Sequence, residues 1–169
     1  PIYYHNRGNS AFEGESSRFG DFAGLDDLMT EDPRVVAGFI DIYKQWITDY
    51  RVDGFRIDTA KHVNPEFWQA FVPAMEAHAE SLGIEHFHIF GEVYEFDAGR
   101  LSAYTTRDRL TSVLDFALQS VLQDIIVNGA PARRLEELFE VDHSYANGLE
   151  TAAILPTFLG NHDMGRFAG

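Results

Sequence analysis

The sequence contains no cysteine, and this absence excludes several kinds of site. Disulfide frameworks, thiolate zinc sites and thiol nucleophiles all need that residue, so none of them contributes here, and the redox compartment stays undetermined. Long hydrophobic runs are also missing, because the longest, Val121 to Val127, is interrupted by Gln123 and Asp124. No segment is therefore typical of a membrane span.

Basic residues are scarce, with 13 against 27 acidic ones, which gives a formal net charge of −14. Nucleic acid and anionic membranes would be repelled by this charge, so neither is an expected partner, whereas a neutral ligand or a cation is compatible with it. Apolar residues are abundant, at 45% hydrophobic and 14% aromatic in 169 residues. That content is sufficient for a substantial core in one domain.

The two ends of the sequence indicate an excerpt. It opens on Pro1 rather than methionine, shows no signal peptide, and stops at Gly169 soon after an acidic segment. We therefore expect a longer protein that includes these residues. The sequence does not determine its location, although a secreted or periplasmic one is favoured over a cytoplasmic one.

Apolar spacing divides the chain into alternating strands and helices. Residues 1 to 32 have no sustained period and read as irregular. A helix begins at Pro33, and another begins at Asn64 and Pro65 and ends at Gly83. Further helices are predicted near 98–104, 116–127 and 132–141, and strands at 52–57, 86–90, 112–115 and 153–159. This alternation predicts parallel strands, either in an open doubly wound sheet or in part of a (β/α) barrel.

Three segments run from an apolar stretch into a carboxylate. Their sequences are Gly-Phe-Arg-Ile-Asp ending at Asp58, Ile-Phe-Gly-Glu ending at Glu92, and Phe-Leu-Gly-Asn-His-Asp ending at Asp163. If the apolar stretches are parallel strands of one barrel, the three acids emerge at the same rim, where barrel enzymes carry out chemistry. Three acids there suggest acid/base and nucleophilic work on a polar, neutral substrate.

Alternation along the first of these strands places Arg56 and Asp58 on one face, with Phe55 and Ile57 on the other. Arg56 would then lie in the interior beside Asp58 and keep that carboxylate ionised, as a nucleophile requires. An ion pair with a purely structural role is the alternative.

The residues also carry a family resemblance. Gly-Phe-Arg-Ile-Asp-Thr-Ala-Lys-His at 54–62, Gly-Glu-Val at 91–93 and Leu-Gly-Asn-His-Asp at 159–163 resemble three ordered signature regions of the α-amylase family of glycoside hydrolases. Gly-Leu-Asp-Asp-Leu at 24–28 is similar to a fourth, weaker region. The resemblance covers nearly the whole chain.

The resemblance implies a TIM barrel of which this chain holds only a part. The strands near 52, 86, 112 and 153 would be approximately the fourth to the seventh. Residues 33–169 would be the partial catalytic barrel, and 1–32 the end of an inserted loop-rich domain. The remainder of the barrel would lie outside this sequence.

The resemblance also gives each acid a role. Asp58 would be the catalytic nucleophile, Glu92 the general acid/base and Asp163 the transition-state stabiliser. Glu92 must start protonated, which the charge of Asp58 and partial desolvation favour, and it becomes a base once Asp58 is esterified. The expected substrate-binding residues are Arg56, Lys61, His62, Asn161 and His162.

A structural calcium ion is a further implication. The family's ligands would correspond to the carboxylate of Asp27 and the backbone carbonyl of His62, with an asparagine ligand outside this chain. Asp26 and Asp27 are equally compatible with ordinary loop acids. No organic cofactor is implied.

The function expected from the resemblance is retaining hydrolysis of α-1,4-glucans such as starch and maltodextrins, through a covalent glycosyl-enzyme intermediate. The same residues also serve α-1,6 hydrolysis and transglycosylation. A non-catalytic relative that acts as a binding module is a further alternative, but it would have no need to keep Arg56 together with all three acids.

Overall fold

The computed structural model describes residues 2–167, which fall into two compact units, one ending at Ile89 and one beginning at Phe90. Strand β2 starts in the first unit and ends in the second. The regular elements are α1 (Ser16–Phe19), α2 (Pro33–Tyr50), β1 (Gly54–Ile57), α3 (Pro65–Ser81), β2 (His88–Gly91), α4 (Ala98–Thr106), β3 (Ser112–Val113), α5 (Phe116–Ile126), α6 (Arg133–Phe139) and α7 (Leu149–Ala152).

Residues at each end of helix α2 explain where the helix begins and ends. The Asp32 side chain accepts a hydrogen bond from the Arg34 N–H at 2.8 Å, and Pro33 takes the first helical position. A carboxylate at this position satisfies a backbone donor that the helix leaves free, and proline suits the first turn. The helix ends at Arg51, which adopts a left-handed φ of 54°.

Aromatic side chains join α2 to α3 and to β1. The ring centroids of Phe39 and Phe67 lie 5.5 Å apart, and those of Tyr43 and Phe71 also 5.5 Å apart, both edge to face. Tyr43 additionally meets Phe55 of β1 at 5.2 Å. These contacts bury large apolar areas in the geometry that aromatic pairs prefer, so they stabilise the first unit.

Strand β1 lies beside β2 at unusually short range. The His88 N–H donates to the Asp53 carbonyl at 3.1 Å, and a Cβ added at Gly54 would lie 2.1 Å from the His88 carbonyl oxygen. No side chain fits there, which explains glycine at the start of β1.

In the second unit, β2 and β3 pair in parallel. Phe90 is opposite Ser112 and Gly91 is opposite Val113, and the Leu114 N–H donates to the Gly91 carbonyl at 3.0 Å. Parallel neighbours need a long connection, which α4 provides. The chain is therefore of the α/β class with parallel pairing, as predicted, and this arrangement is consistent with part of a TIM barrel.

The strand predicted at 153–159 is wrong. Helix α7 ends at Ala152, and the following residues form turns and irregular backbone. The Pro156 carbonyl accepts one hydrogen bond, from the Asp115 N–H at 3.1 Å. Proline has no N–H to return, and β3 is only two residues long, so an extended ladder does not form.

Within residues 2–167, no helix combines the length and the apolar character that crossing a membrane requires.

Candidate functional site

Asp58 is the first residue after β1, and Arg56 lies two positions before it on the same face. Arg56 Nη1 donates to Asp58 Oδ1 at 3.1 Å, which confirms the pair predicted from the alternation. The predicted position of Arg56 in a barrel interior stays a prediction. Its side chain is 38% exposed and that of Asp58 is 65% exposed. A barrel interior needs eight strands to enclose it, and β1 to β3 are too few to do so.

The chain turns sharply after Asp58. Thr59 adopts a left-handed φ of 49°, and a short 3-10 turn follows at Ala60–His62. His62 Nδ1 lies 2.8 Å from the Ser17 carbonyl oxygen, to which it can donate. The turn is thereby attached to the irregular N-terminal segment, while Lys61 beside it is half-buried.

Aromatic rings hold the imidazole of His62 from two sides. The rings of Phe12 and Phe22 meet it edge to face, at centroid distances of 5.9 and 5.0 Å. The ring orientation of His62 is therefore fixed by packing as well as by the hydrogen bond to Ser17.

The carboxylate of Asp27 contacts His5, which was not among the predicted site residues. His5 Nδ1 lies 2.6 Å from Asp27 Oδ2, and His5 Nε2 lies 2.9 Å from Glu31 Oε1. Burial raises the pKa of the Asp27 carboxyl, while the hydrogen bond from His5 opposes that shift. The only sequence signal for His5 was its position in the aromatic segment at the start of the chain.

This arrangement bears on the expected calcium ion. Calcium takes six to eight oxygen ligands, and Asp27 with the His62 carbonyl supplies three of them at most. One Asp27 oxygen is already bound to His5. No group of three or more histidine, aspartate or glutamate side chains within residues 2–167 could hold a metal ion. The residues present therefore do not fit calcium by themselves.

Glu92 follows β2 directly and is almost completely buried. It is 8% exposed, between the buried Gly91 and the fully buried Val93. The carboxyl group is thus held close to the end of a rigid strand in surroundings that contain little water. Such an environment suits a group that exchanges a proton with a bound substrate.

The segment around Asp163 is organised by its own side chains. The Asn161 side-chain oxygen accepts from the Asp163 N–H at 3.0 Å, and His162 Nε2 lies 3.2 Å from Asp163 Oδ2. The Asn161 Nδ2 is buried and has no hydrogen-bond partner among the described residues. The motif therefore presents an exposed carboxylate and imidazole together with an unmet amide donor.

A cavity of about 530 Å³ opens beside Asp163. Tyr94 and Phe96 form part of its wall, and sequence reasoning missed both, although they lie only two and four residues after Glu92. Gln119 also lines it and donates to the Leu159 carbonyl at 3.2 Å. Aromatic faces beside hydrogen-bonding groups can bind sugar rings.

The predicted site residues divide between the two units. Arg56, Asp58, Lys61, His62 and Asp27 belong to the first unit, in which direct hydrogen bonding joins Arg56 to Asp58. The second unit contains the others, namely Glu92, Asn161, His162 and Asp163.

Comparison with known proteins adds three observations. Residues 1–169 match the family model described as the alpha-amylase catalytic domain. The chain is 48% identical over 166 residues to an alpha-amylase of Streptomyces lividans, which covers 98% of this chain and 18% of that protein. Its fold is similar to that of the alpha-amylase of Geobacillus thermoleovorans solved with acarbose, at a TM-score of 0.81 and 26% identity, covering 98% of this chain and 36% of that one.

A cyclomaltodextrin glucanotransferase of known structure is equally similar in fold. The TM-score is 0.81 at 26% identity, and the match covers 98% of this chain and 33% of that one. The chain therefore spans between about a fifth and about a third of the length of these relatives.

Proposed function

The chain belongs to the alpha-amylase catalytic-domain family, and on that premise we propose that it is part of a retaining glycoside hydrolase acting on α-1,4-glucans. Its substrates would be starch and maltodextrins. The observation that carries the proposal is the Arg56–Asp58 pair at the end of β1, within a match that spans nearly the whole chain. The polar and neutral character of glucans also suits a strongly acidic protein.

Asp58 would attack the anomeric carbon and form the glycosyl ester, while the bond to the leaving oxygen breaks. The guanidinium of Arg56, whose Nη1 lies 3.1 Å from Asp58 Oδ1, would hold the carboxylate in position for the attack. Because both side chains are exposed in this chain, the remainder of the protein would be needed to exclude water around them.

Glu92 would donate a proton to the leaving oxygen and then remove one from the incoming water. Glu92 is almost completely buried directly after β2, which would hold its carboxyl group in place for both proton transfers. One residue can thus serve both half-reactions.

Asp163 would hydrogen-bond sugar hydroxyls, in an interaction that strengthens as positive charge develops on the ring. Its hydrogen bond with Asn161 and its contact with His162 orient the carboxylate. His162 and the unmet amide of Asn161 would bind sugar oxygens beside it. Lys61 and His62 would line the leaving-group side of the cleft.

Membership of the family leads to further proposals, about the barrel positions of the strands, the domain boundaries and a bound metal ion. β1, β2 and β3 would take the fourth, fifth and sixth strand positions, with 153–159 at the seventh position without forming a strand. Residues 1–32 would be the end of the inserted domain, and 33–169 the partial barrel. In the complete protein, a calcium ion at Asp27 and the His62 carbonyl would require further oxygen ligands from outside this chain.

Transglycosylation is the second candidate. It differs from hydrolysis only in whether a sugar hydroxyl or water reaches the glycosyl ester. Two observations support transglycosylation as a candidate. The fold is similar to that of a cyclomaltodextrin glucanotransferase, and Tyr94 and Phe96 form an aromatic part of the cavity wall.

Trapping the covalent intermediate tests the proposal in the complete protein. A fluorinated glucosyl fluoride, which forms the ester quickly and releases it slowly, should add one sugar mass to the peptide containing Asp58. Labelling elsewhere, or none while starch is still cleaved, would contradict the assignment. A product profile on starch, pullulan and short maltooligosaccharides then separates hydrolysis from transfer and α-1,4 from α-1,6 cleavage.

A further inference from the structure

Gln119 is a buried polar side chain on α5 that none of the proposed roles uses. It is 2% exposed and belongs to the wall of the cavity beside Asp163. Its Nε2 donates to Gln123 Oε1 at 3.1 Å and to the Leu159 carbonyl at 3.2 Å, so both N–H groups of the amide have partners. The first bond stays within α5. The second joins α5 to the segment that leads to Asp163.

The segment that leads to Asp163 has no regular structure of its own. Residues 156–161 form neither helix nor strand. They are attached instead to the start of α5, where the Asp115 N–H donates to the Pro156 carbonyl at 3.1 Å and the ring of Phe116 meets that of Phe158 edge to face at 4.9 Å. The bond from the buried glutamine is the next attachment along this segment.

Beyond Leu159, the hydrogen bonds of the motif are internal. Among the described residues, 160–167 form hydrogen bonds and ion pairs only with one another, as Asn161 and His162 do with Asp163. The bond from Gln119 is therefore the last one that joins the chain to a helix before the carboxylate. A motif that is ordered internally still needs such a support to fix its direction.

A glutamine on α5 is well suited to give this support. The Asp115 side chain accepts from the Leu118 N–H at 2.9 Å and caps the helix, so the turn that carries Gln119 is well ordered. The Leu159 carbonyl belongs to irregular backbone and needs a donor from elsewhere. A neutral amide supplies that donor without placing a charge in a buried wall.

We propose that Gln119 is a positioning residue for glucan cleavage. Its bond to the Leu159 carbonyl would orient the segment so that the Asp163 carboxylate meets the sugar in the transition state. The inference rests on the role proposed above for Asp163. Gln119 itself need not touch the substrate.

Gln119→Met in the complete protein removes the donor and keeps the length of the side chain. We expect kcat on maltooligosaccharides to fall about tenfold or more, with little change in KM, because misorientation of Asp163 matters most in the transition state. Thr151→Val is the matched control. It removes a buried side chain that accepts from the Asn147 N–H in the same unit, and it should leave kcat unchanged. Melting temperatures establish that the variants fold, and Gln119→Asn, whose amide is too short to reach, replaces the methionine variant if that one does not.

A double-mutant cycle with Asp163→Asn separates positioning from a general loss of structure. If Gln119 acts through Asp163, adding Gln119→Met to Asp163→Asn should lower kcat by no more than about twofold, whereas independent effects would multiply. Maltosyl fluoride, an activated substrate, keeps the slow variants measurable. A crystal structure of the complete wild-type protein should contain the bond from Gln119 to the Leu159 carbonyl.

The inference alone is overturned if Asp163→Asn lowers kcat while Gln119→Met does not, or if the two losses multiply. Absence of the bond in the complete protein, or an equal loss of kcat in Thr151→Val, would overturn it as well. Full activity of Asp163→Asn would be a different result, because the role proposed for Asp163 would then fail and this inference with it.

Discussion

The guanidinium nitrogen Nη1 of Arg56 lies 3.1 Å from Oδ1 of Asp58, although both side chains are open to solvent. An exposed ion pair contributes little to folding, because water and salt screen it and ordering the side chains costs entropy. The pair is therefore better explained by a role in the proposed active site than by a contribution to stability.

Replacing Arg56 tests this distinction. Arg56→Gln in the complete protein should lower kcat/KM about a hundredfold, the scale of losing one preorganised electrostatic contact. The free energy of unfolding should change by less than about 1 kcal/mol. Arg100→Gln, which removes another exposed arginine near a carboxylate, should leave both quantities unchanged. A large loss of stability with little loss of activity would instead favour a structural ion pair.

Replacing Glu92 separates its acid role from its base role. Glu92→Gln should lower kcat on maltooligosaccharides by about 10²- to 10⁴-fold while substrate binding persists. With a glucosyl fluoride, whose leaving group needs no proton, ester formation should recover, and added azide should restore turnover by replacing activated water. The control Glu95→Gln, on the same segment, should behave like the wild type. Undiminished hydrolysis of natural substrates by Glu92→Gln would contradict the assignment of Glu92 as the general acid/base.

Two glycine substitutions should have opposite effects. Gly54→Ala places a methyl group 2.1 Å from the His88 carbonyl oxygen, so β1 and β2 must move apart. We expect it to cost more than about 2 kcal/mol of stability, or to prevent folding. Gly38→Ala, inside α2 with no atom within 4 Å of the new Cβ, should stabilise by about 0.5–1 kcal/mol. Chemical denaturation measures the free energy of unfolding of both variants. Equal changes in the two would contradict the close approach of the His88 carbonyl to Gly54.

The pKa of Asp115 predicts how stability depends on pH. Burial raises this pKa above 3.8, against the opposing hydrogen bond from the Leu118 N–H. A carboxyl with a raised folded pKa contributes stability that is complete below 3.8 and is lost as the pH rises through the folded value. The melting temperature of Asp115→Asn should therefore rise relative to the wild type between acidic and neutral pH. Asparagine can still cap α5.

Asp124 provides a control, because its pKa is shifted in the opposite direction to that of Asp115. Hydrogen bonds from Asn128 and Arg134 lower its pKa below 3.8, so its contribution is present above that pH and is lost as the pH falls. Asp124→Asn should thus be less stable than the wild type at neutral pH and equal to it in acid. If the stabilities of the two variants, relative to the wild type, changed with pH in the same way, both pKa shifts would be contradicted.

The chain by itself should not be active. A TIM barrel closes with eight strands, and an open set leaves unpaired strand edges that promote aggregation. We expect isolated residues 1–169 to aggregate and to show no starch hydrolysis by a reducing-sugar assay. Cleavage at the rate of the complete protein would be the contrary result.

Local chemistry made several features predictable. Proline at the first helical position identified the starts of α2 and α3, and the left-handed Gly83 that follows α3 was read correctly as its end. The period of two along a strand predicted the contact of Arg56 with Asp58. These features depend on a few neighbouring residues, so a sequence contains them in full.

Other features depend on which distant segments come together. The apolar run at 153–159 looked like a strand, but a strand needs a partner with matching donors, and Pro156 meets a very short β3. The exposure of Arg56 and the contact of His5 with Asp27 likewise depend on which remote residues come together. The sequence alone therefore determined the residue types, the local elements and the family. Only the tertiary structure decided burial, partners and cavities, because these are properties of packing and not of order along the chain.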